Sequence, residues 1–270
     1  MIAILWDCFR EAIYRKVFLF MVAAALLVTV FEIYNIRFVT QPDGKVMVRY
    51  HGFQKLLSGA NVVSNEIDIL YGLAEGPWMF FSMFLLSPLV CTFLEKGSVE
   101  LAFTKGISRK TIYLSRLVGA FLVYSIPMFL FNVLPVAYFA LHVELNLARY
   151  VDSVLLQMFV FAGTFVIMAA TALSQRGQAT VIIAGFAFFM LCNMMETRFM
   201  LGLEGVFWKR FLFNWMTLAW FVLPKPHELT MQAKQFMNDD FTSWFALATS
   251  AVFIVVAAFL TVSSLQKKSF

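Results

Sequence analysis

The chain has 270 residues, 61% of them hydrophobic and only 14% charged, with 32 Phe and a formal net charge of +5. Average soluble domains are ~45–50% apolar and ~25% charged, and a core of this size still needs a polar skin. A water-soluble globular enzyme, a disordered chain and a disulfide-rich secreted domain are therefore excluded, leaving a membrane protein. Its apolar runs are continuous, as in VFLFMVAAALLVTVF, unlike the ~10-residue alternating segments of a membrane β-barrel. The expected fold is an all-α polytopic membrane protein forming a single transmembrane domain over residues 1–270.

Over residues 1–16, Ile2, Leu5, Trp6, Phe9, Ile13 and Val17 recur at helical spacing, and Asp7, Arg10, Glu11, Tyr14 and Arg15 take the other face. That is the pattern of an amphipathic helix lying at a membrane interface. Trp6 suits the headgroup level and the basic residues an anionic leaflet. A hydrocarbon core of ~30 Å takes ~20 apolar residues as a helix. Six stretches qualify, at about 17–34, 76–94, 111–141, 151–173, 179–195 and 242–265. The first is expected to be an uncleaved anchor, because Ala23–Ala25 lie inside its apolar run and no small-x-small cleavage site follows before Phe31.

The loop at 35–75 holds a turn, Gln41-Pro-Asp-Gly44, between β-prone stretches, then a segment of helical character. In the loop 95–110, Ser98 is placed to cap a short helix with Glu100 in its first turn and Val99, Ala102 and Phe103 on one apolar face. Gly106 stops that helix and Ser108 caps the next. A short helix with one apolar face and flanking charges is a docking device for a soluble partner. An ordinary basic loop held at the lipid surface is the other reading of the same residues. Pro88, Pro127 and Pro135 bend the second and third spans. In the last loop, 196–241, the aromatic run Val206–Val222 carries Lys209, Arg210 and Asn214 and breaks at Leu223-Pro-Lys-Pro226. An interfacial helix or a re-entrant hairpin fits it better than a span.

No charge lies at the centre of any of the six spans, which weighs against a proton- or sodium-coupled carrier. Asn132, Gln157 and Asn193 are read as interhelical hydrogen-bonding groups. His51, His142 and His227 are isolated, and neither H-E-x-x-H, G-x-S-x-G nor facing carboxylates occur. No catalytic residues and no enzyme activity are expected. Cys8, Cys91 and Cys192 read as small apolar residues. Met190, Cys192, Met194, Met195 and Met200 are soft ligands suited to Cu(I), but packing is the plainer reading, so no metal is expected. The chain has no G-x-x-x-x-G-K-[ST], so any ATP must be bound by another polypeptide.

Lys and Arg are almost evenly divided between the two faces, but the set at Arg10, Arg15, Lys16, Lys96, Lys105, Arg109, Lys110 and Arg116 is packed into short segments. Short loops and span ends set orientation, so both termini are expected to be cytoplasmic. The positive charge then reads as attraction to anionic lipid, with no nucleic acid as partner.

The lead-in FREAIYRKVFLFMVAAAL, the stretch LEKGSVELAFTKGISRKTIYLSRLVGAFLV and the later LPKPHEL resemble type-2 ABC transporter permeases, including the permease subgroup of the nitrous oxide reductase maturation system. Glu95, Gly97, Ser98, Glu100 and Leu101, then Lys105, Ser108 and Arg109, match the family's pattern between spans two and three. Gly106 departs from it, standing where proline is common. The resemblance implies six spans, a second copy of the permease or a homologous one, and ABC ATPase subunits carrying ATP and Mg, with no cofactor on this chain. It implies a coupling helix whose docking surface is Glu95, Val99, Glu100, Phe103, Lys105 and Arg109. It further implies an interface helix with Trp6, Phe9, Arg10, Glu11 and Arg15 bracing it. The implied function is ATP-driven export through a bacterial cytoplasmic (inner) membrane, with a possible extracytoplasmic partner at the long outer loops. The alternative is a non-transporting membrane anchor that recruits partners on both faces.

Overall fold

The first helix, α1 (Ile2–Tyr14), places Glu11 one turn before Arg15, and the two form an ion pair at 3.0 Å, in the favourable acid-first order. Lys16 then adopts a left-handed conformation, φ 59° and ψ 6°. That single residue turns the chain from α1 into the first long apolar helix, α2 (Val17–Asn35). The structure, a computed structural model, describes residues 2–42, 45–51, 57–92, 107–174, 177–196, 207–237 and 243–267.

After α2 come strands β1 (Ile36–Thr40), β2 (Val46–Tyr50) and β3 (Leu57–Ser58), which form an antiparallel sheet in that order. The register pairs Ile36 with Tyr50, and Gln41 N–H donates to the Lys45 carbonyl at 2.9 Å across the hairpin end. The β-prone stretches around Gln41–Gly44 thus pair, so the fold is helical with one small sheet and is not all-α.

Helix α3 (Gly59–Leu73) continues through a π-helical turn, Ala74–Trp78, into α4 (Met79–Cys91). Pro77 lies inside that turn. Proline has no N–H to give to an α-helical ladder, and a π-bulge absorbs the mismatch. The second spanning helix therefore runs over Gly59–Cys91, well beyond the start expected at Gly76. Its polar half is helical because its acids find partners from elsewhere in the chain. Glu66 accepts from the Tyr50 hydroxyl, and Asp68 pairs with Lys234 at 2.7 Å.

The remaining helices are α5 (Arg109–Ala140), α6 (Leu147–Ser174), α7 (Gln178–Glu196), α8 (Phe207–Val222), α9 (Pro226–Met237) and α10 (Phe245–Lys267). Ser108 caps α5 as its sequence requires, its Oγ accepting from Thr111 N–H at 3.2 Å. Among the described residues, six helices are long and apolar enough to cross a membrane: α2, α3–α4, α5, α6, α7 and α10. The most apolar stretch of α6 is 67% buried, against 28% in α2 and α7 and 22% in α10, so α6 is central and those three are peripheral. Phe20, Phe31, Phe186, Val255 and Phe259 on the outer helices are exposed, and lipid is the solvent that such faces need. The chain is a membrane protein.

The face where α2 begins and α10 ends is called the terminal face here, and the opposite one the distal face. On the distal face, Phe38 of β1 stacks on His142 at 4.4 Å, and the Tyr138 hydroxyl donates to the Ile36 carbonyl at 3.3 Å, fastening the sheet to the end of α5.

Candidate docking site

At the terminal face, α1 lies across the start of α5 and the end of α4. Its packed side is small: Cys8 and Ala12 are buried, and a Cβ on Gly119 of α5 would come within 2.9 Å of Cys8 Cβ. Gly119 is what lets the two helices approach so closely. The large apolar residues Ile2, Trp6 and Ile13 are instead exposed, Trp6 at 64%. The helix thus uses a narrow small-residue face against protein and leaves its bulky stripe uncovered. Of the expected interface residues, Phe9 is half-buried and reaches Phe18, Arg10 is exposed, and Glu11 and Arg15 form the pair described above.

Three residues tie this region together. Arg116 of α5 is only 8% exposed, and its Nη1 donates to the carbonyl of Thr92 at 2.7 Å. Thr92 is the C-cap of α4, so the guanidinium meets the negative end of that helix where its last carbonyls lack partners. The Thr92 hydroxyl lies 2.8 Å from Glu11 Oε1 and also 2.8 Å from the Leu89 carbonyl, either of which accepts its proton. Glu11 therefore links α1 to the last residue of the second span. Burial pushes the Cys8 thiol up to about 12, against the opposing pull of Arg116, and its Sγ lies 3.8 Å from the Arg116 carbonyl. Asp7, Arg10, Glu11, Tyr14, Arg15, Thr92 and Arg116 enclose an open cavity of about 500 Å³.

Glu95, Val99, Glu100, Phe103 and Lys105 lie outside the described residues, as does the side chain of Arg109, whose backbone begins α5. The stretch 93–106 thus leaves from Thr92, held by Arg116 and Glu11, and its far side leads to the Ser108 cap. Sequence reading counted Arg116 only as a loop charge and did not single out Thr92. A threonine at the end of one helix and an arginine about two turns into the next are weak signals until the fold joins them.

A second polar cluster lies toward the distal face and comes from the last loop. Helices α8 and α9 meet at Leu223–Lys225, and a Cβ on Gly163, near the middle of α6, would reach Pro224 Cγ at 2.8 Å. Lys225 is fully buried. Its backbone N–H donates to Ser250 Oγ at 3.2 Å and its Nζ to Thr249 Oγ1 at 3.1 Å, with the Trp220 and Phe245 rings at 4.5 and 4.6 Å. Beside it, Glu196 accepts the backbone N–H groups of His227 and Glu228 at 3.3 and 2.8 Å, and His227 Nδ1 lies 3.3 Å from Glu75 Oε1. A carboxylate at the first N–H groups of α9 satisfies donors that have no partner within the helix. Read from sequence as an outer-loop charge, Lys225 is carried by the hairpin into the bundle.

The polar residues of the spans divide. Gln157 Nε2 donates across helices to the Tyr71 carbonyl at 3.1 Å, whereas Asn132 and Asn193 donate to Met128 and Phe189 in their own helices, at 3.0 and 3.1 Å. Met190 and Met194 face outward while Cys192 and Met195 face inward, so α7 splits the soft-ligand cluster; Met200 lies outside the described residues. Among the described residues no group of three or more His, Cys, Asp or Glu is placed to hold a metal. No family model, curated protein or solved structure matches the chain.

Proposed function

We propose that this chain is the membrane-spanning permease subunit of an ATP-driven transporter of the type-2 ABC class. It works as a dimer, with a second copy or a homologous chain, coupled to separate ATPase subunits that hold ATP and Mg. The observation that carries the reading is the join at Thr92. A segment that must pass force from a soluble motor to membrane helices needs a stiff attachment, because a slack one would absorb the displacement. Here the segment 93–106 departs from a residue bonded to both α1 and α5, and returns at a capped helix start.

On this reading the docking surface comprises Glu95, Val99, Glu100, Phe103, Lys105 and Arg109, with α1 as its brace at the cytoplasmic surface of a bacterial inner membrane. Both termini are then cytoplasmic, the sheet and the α8–α9 hairpin face outward, and transport is outward. The six spans and the resemblance at residues 91–125 support the same assignment.

Affinity capture of the tagged chain in mild detergent, followed by an ATPase assay, tests it. Wild type is expected to bring down a soluble ATP-hydrolysing subunit, and a Glu95→Ala/Phe103→Ala/Arg109→Ala chain is expected to lose it. Capture that survives the triple change would remove the docking role from this segment. Absence of any ATPase with wild type would favour a non-transporting anchor.

A further inference from the structure

The cavity at the terminal face has features that ATPase docking does not require. Its wall holds three guanidinium groups, Arg10, Arg15 and Arg116, one phenol, Tyr14, and two carboxylates, Asp7 and Glu11. Glu11 is engaged with Arg15 and Thr92. Arg116 spends Nη1 on the Thr92 carbonyl, while a guanidinium carries five N–H donors in all. Buried to nine-tenths, it is screened from bulk water in a way that surface arginines are not. Among the described residues of the wall, three cations stand against two carboxylates, a surplus of one positive charge. A volume of about 500 Å³ falls within the ~300–1,000 Å³ of small-ligand sites.

We infer that this cavity is a binding site for a phosphate oxyanion, matched in charge to a phosphodiester such as the headgroup of an anionic glycerophospholipid. Guanidinium groups recognise phosphate oxygens through paired charge-assisted hydrogen bonds. A diester carries a single negative charge and balances the wall, whereas a free phosphate carries close to two at neutral pH. The cavity lies at the end of α4 and near the start of α5. The bound headgroup bridges α1 to α5 and holds the brace against the bundle. The site needs membrane placement but no ATPase partner, so a failed ATPase capture leaves it standing.

The test uses the full chain in nanodiscs of digalactosyldiacylglycerol, a bilayer lipid without phosphate, doped with phosphatidylglycerol. Native mass spectrometry of the released protein counts the lipids retained. One phosphatidylglycerol is expected to remain bound in preference to the glycolipid. Arg10→Gln should weaken its retention about fivefold, as for one basic residue near an anionic surface, and Arg116→Gln about tenfold or more. Arg10 is exposed, so its variant keeps the test valid if Arg116→Gln does not fold. In a parallel arm, inorganic phosphate and glycerol phosphate are titrated against the retained lipid. Failure to displace it assigns the site to lipid, and displacement at matched concentration assigns the same oxyanion chemistry to a soluble ligand. Equal retention of both lipids, or retention unchanged in both arginine variants, would overturn the site. So would binding seen only after Glu95→Gln/Glu100→Gln, since the chain's own acids would then be the occupants.

Discussion

Cys8 illustrates how a residue of ordinary chemistry becomes structural through its place. It fills the narrow gap between α1 and Gly119, and its burial raises the thiol to about 12, while a free thiol ionises near ~8.5. The folded state keeps a proton that the unfolded chain releases. The contribution to stability is therefore full below about pH 8.5 and falls away as pH rises toward 12. With Cys91 and Cys192 replaced by alanine, the folded protein should resist maleimide at pH 8 and react once unfolded in dodecyl sulfate. Rapid labelling of the folded chain would mean that α1 leaves α5 freely. The spacing of Ile2, Trp6, Phe9 and Ile13 announced the helix and its outward apolar stripe, but not the separate face that packs on α5. Periodicity detects large apolar side chains, whereas close helix contact is made by small ones, here Cys8, Ala12 and Gly119.

Among the elements, the α8–α9 pair was announced in outline but not in depth. Lys209, Arg210 and Asn214 mark it as unable to span, and Leu223-Pro-Lys-Pro226 marks a break, so a hairpin is legible. The depth of Lys225 is not, because its partners Thr249, Trp220 and Phe245 come together only when α10 packs beside the break. The distal half of the second span hid for the same reason: Glu66, Asp68 and Glu75 look like loop residues until Tyr50, Lys234 and His227 meet them. Gly163 is the contact that lets the hairpin tip in. Gly163→Ala should lower stability by about 1–3 kcal/mol by forcing Pro224 away. Gly72→Ala, where an added Cβ meets nothing within 4 Å, should raise it by about 0.5–1 kcal/mol. A denaturation series in detergent checks both. Equal effects at the two sites would show that the tip is not held by α6.

For the whole molecule, composition was decisive because lipid accepts what water cannot: continuous apolar runs fixed the number of spans, and the structure has six helices to match. Composition has no such grip on residues 93–106, too short a stretch for an apolar excess to identify. Six spans place Tyr14 at the terminal face and Leu141, after the third span, at the distal face; their exposures are 79% and 81%. In a cysteine-free background, Tyr14→Cys and Leu141→Cys should label with a membrane-impermeant reagent from opposite sides, Leu141→Cys from outside intact cells. Labelling of both from one side would break the six-span arrangement.

The central claim is that residues 93–106 meet a separate ATPase, and a photo-crosslinking amino acid at position 103 addresses it most directly. A second chain carrying the probe at Met231, an exposed residue of α9, serves as the distal control. The account requires a crosslinked adduct from position 103 to a soluble, ATP-binding protein, and none to that protein from position 231. An adduct from position 103 to lipid alone, or the ATP-binding adduct from position 231 instead, would contradict it.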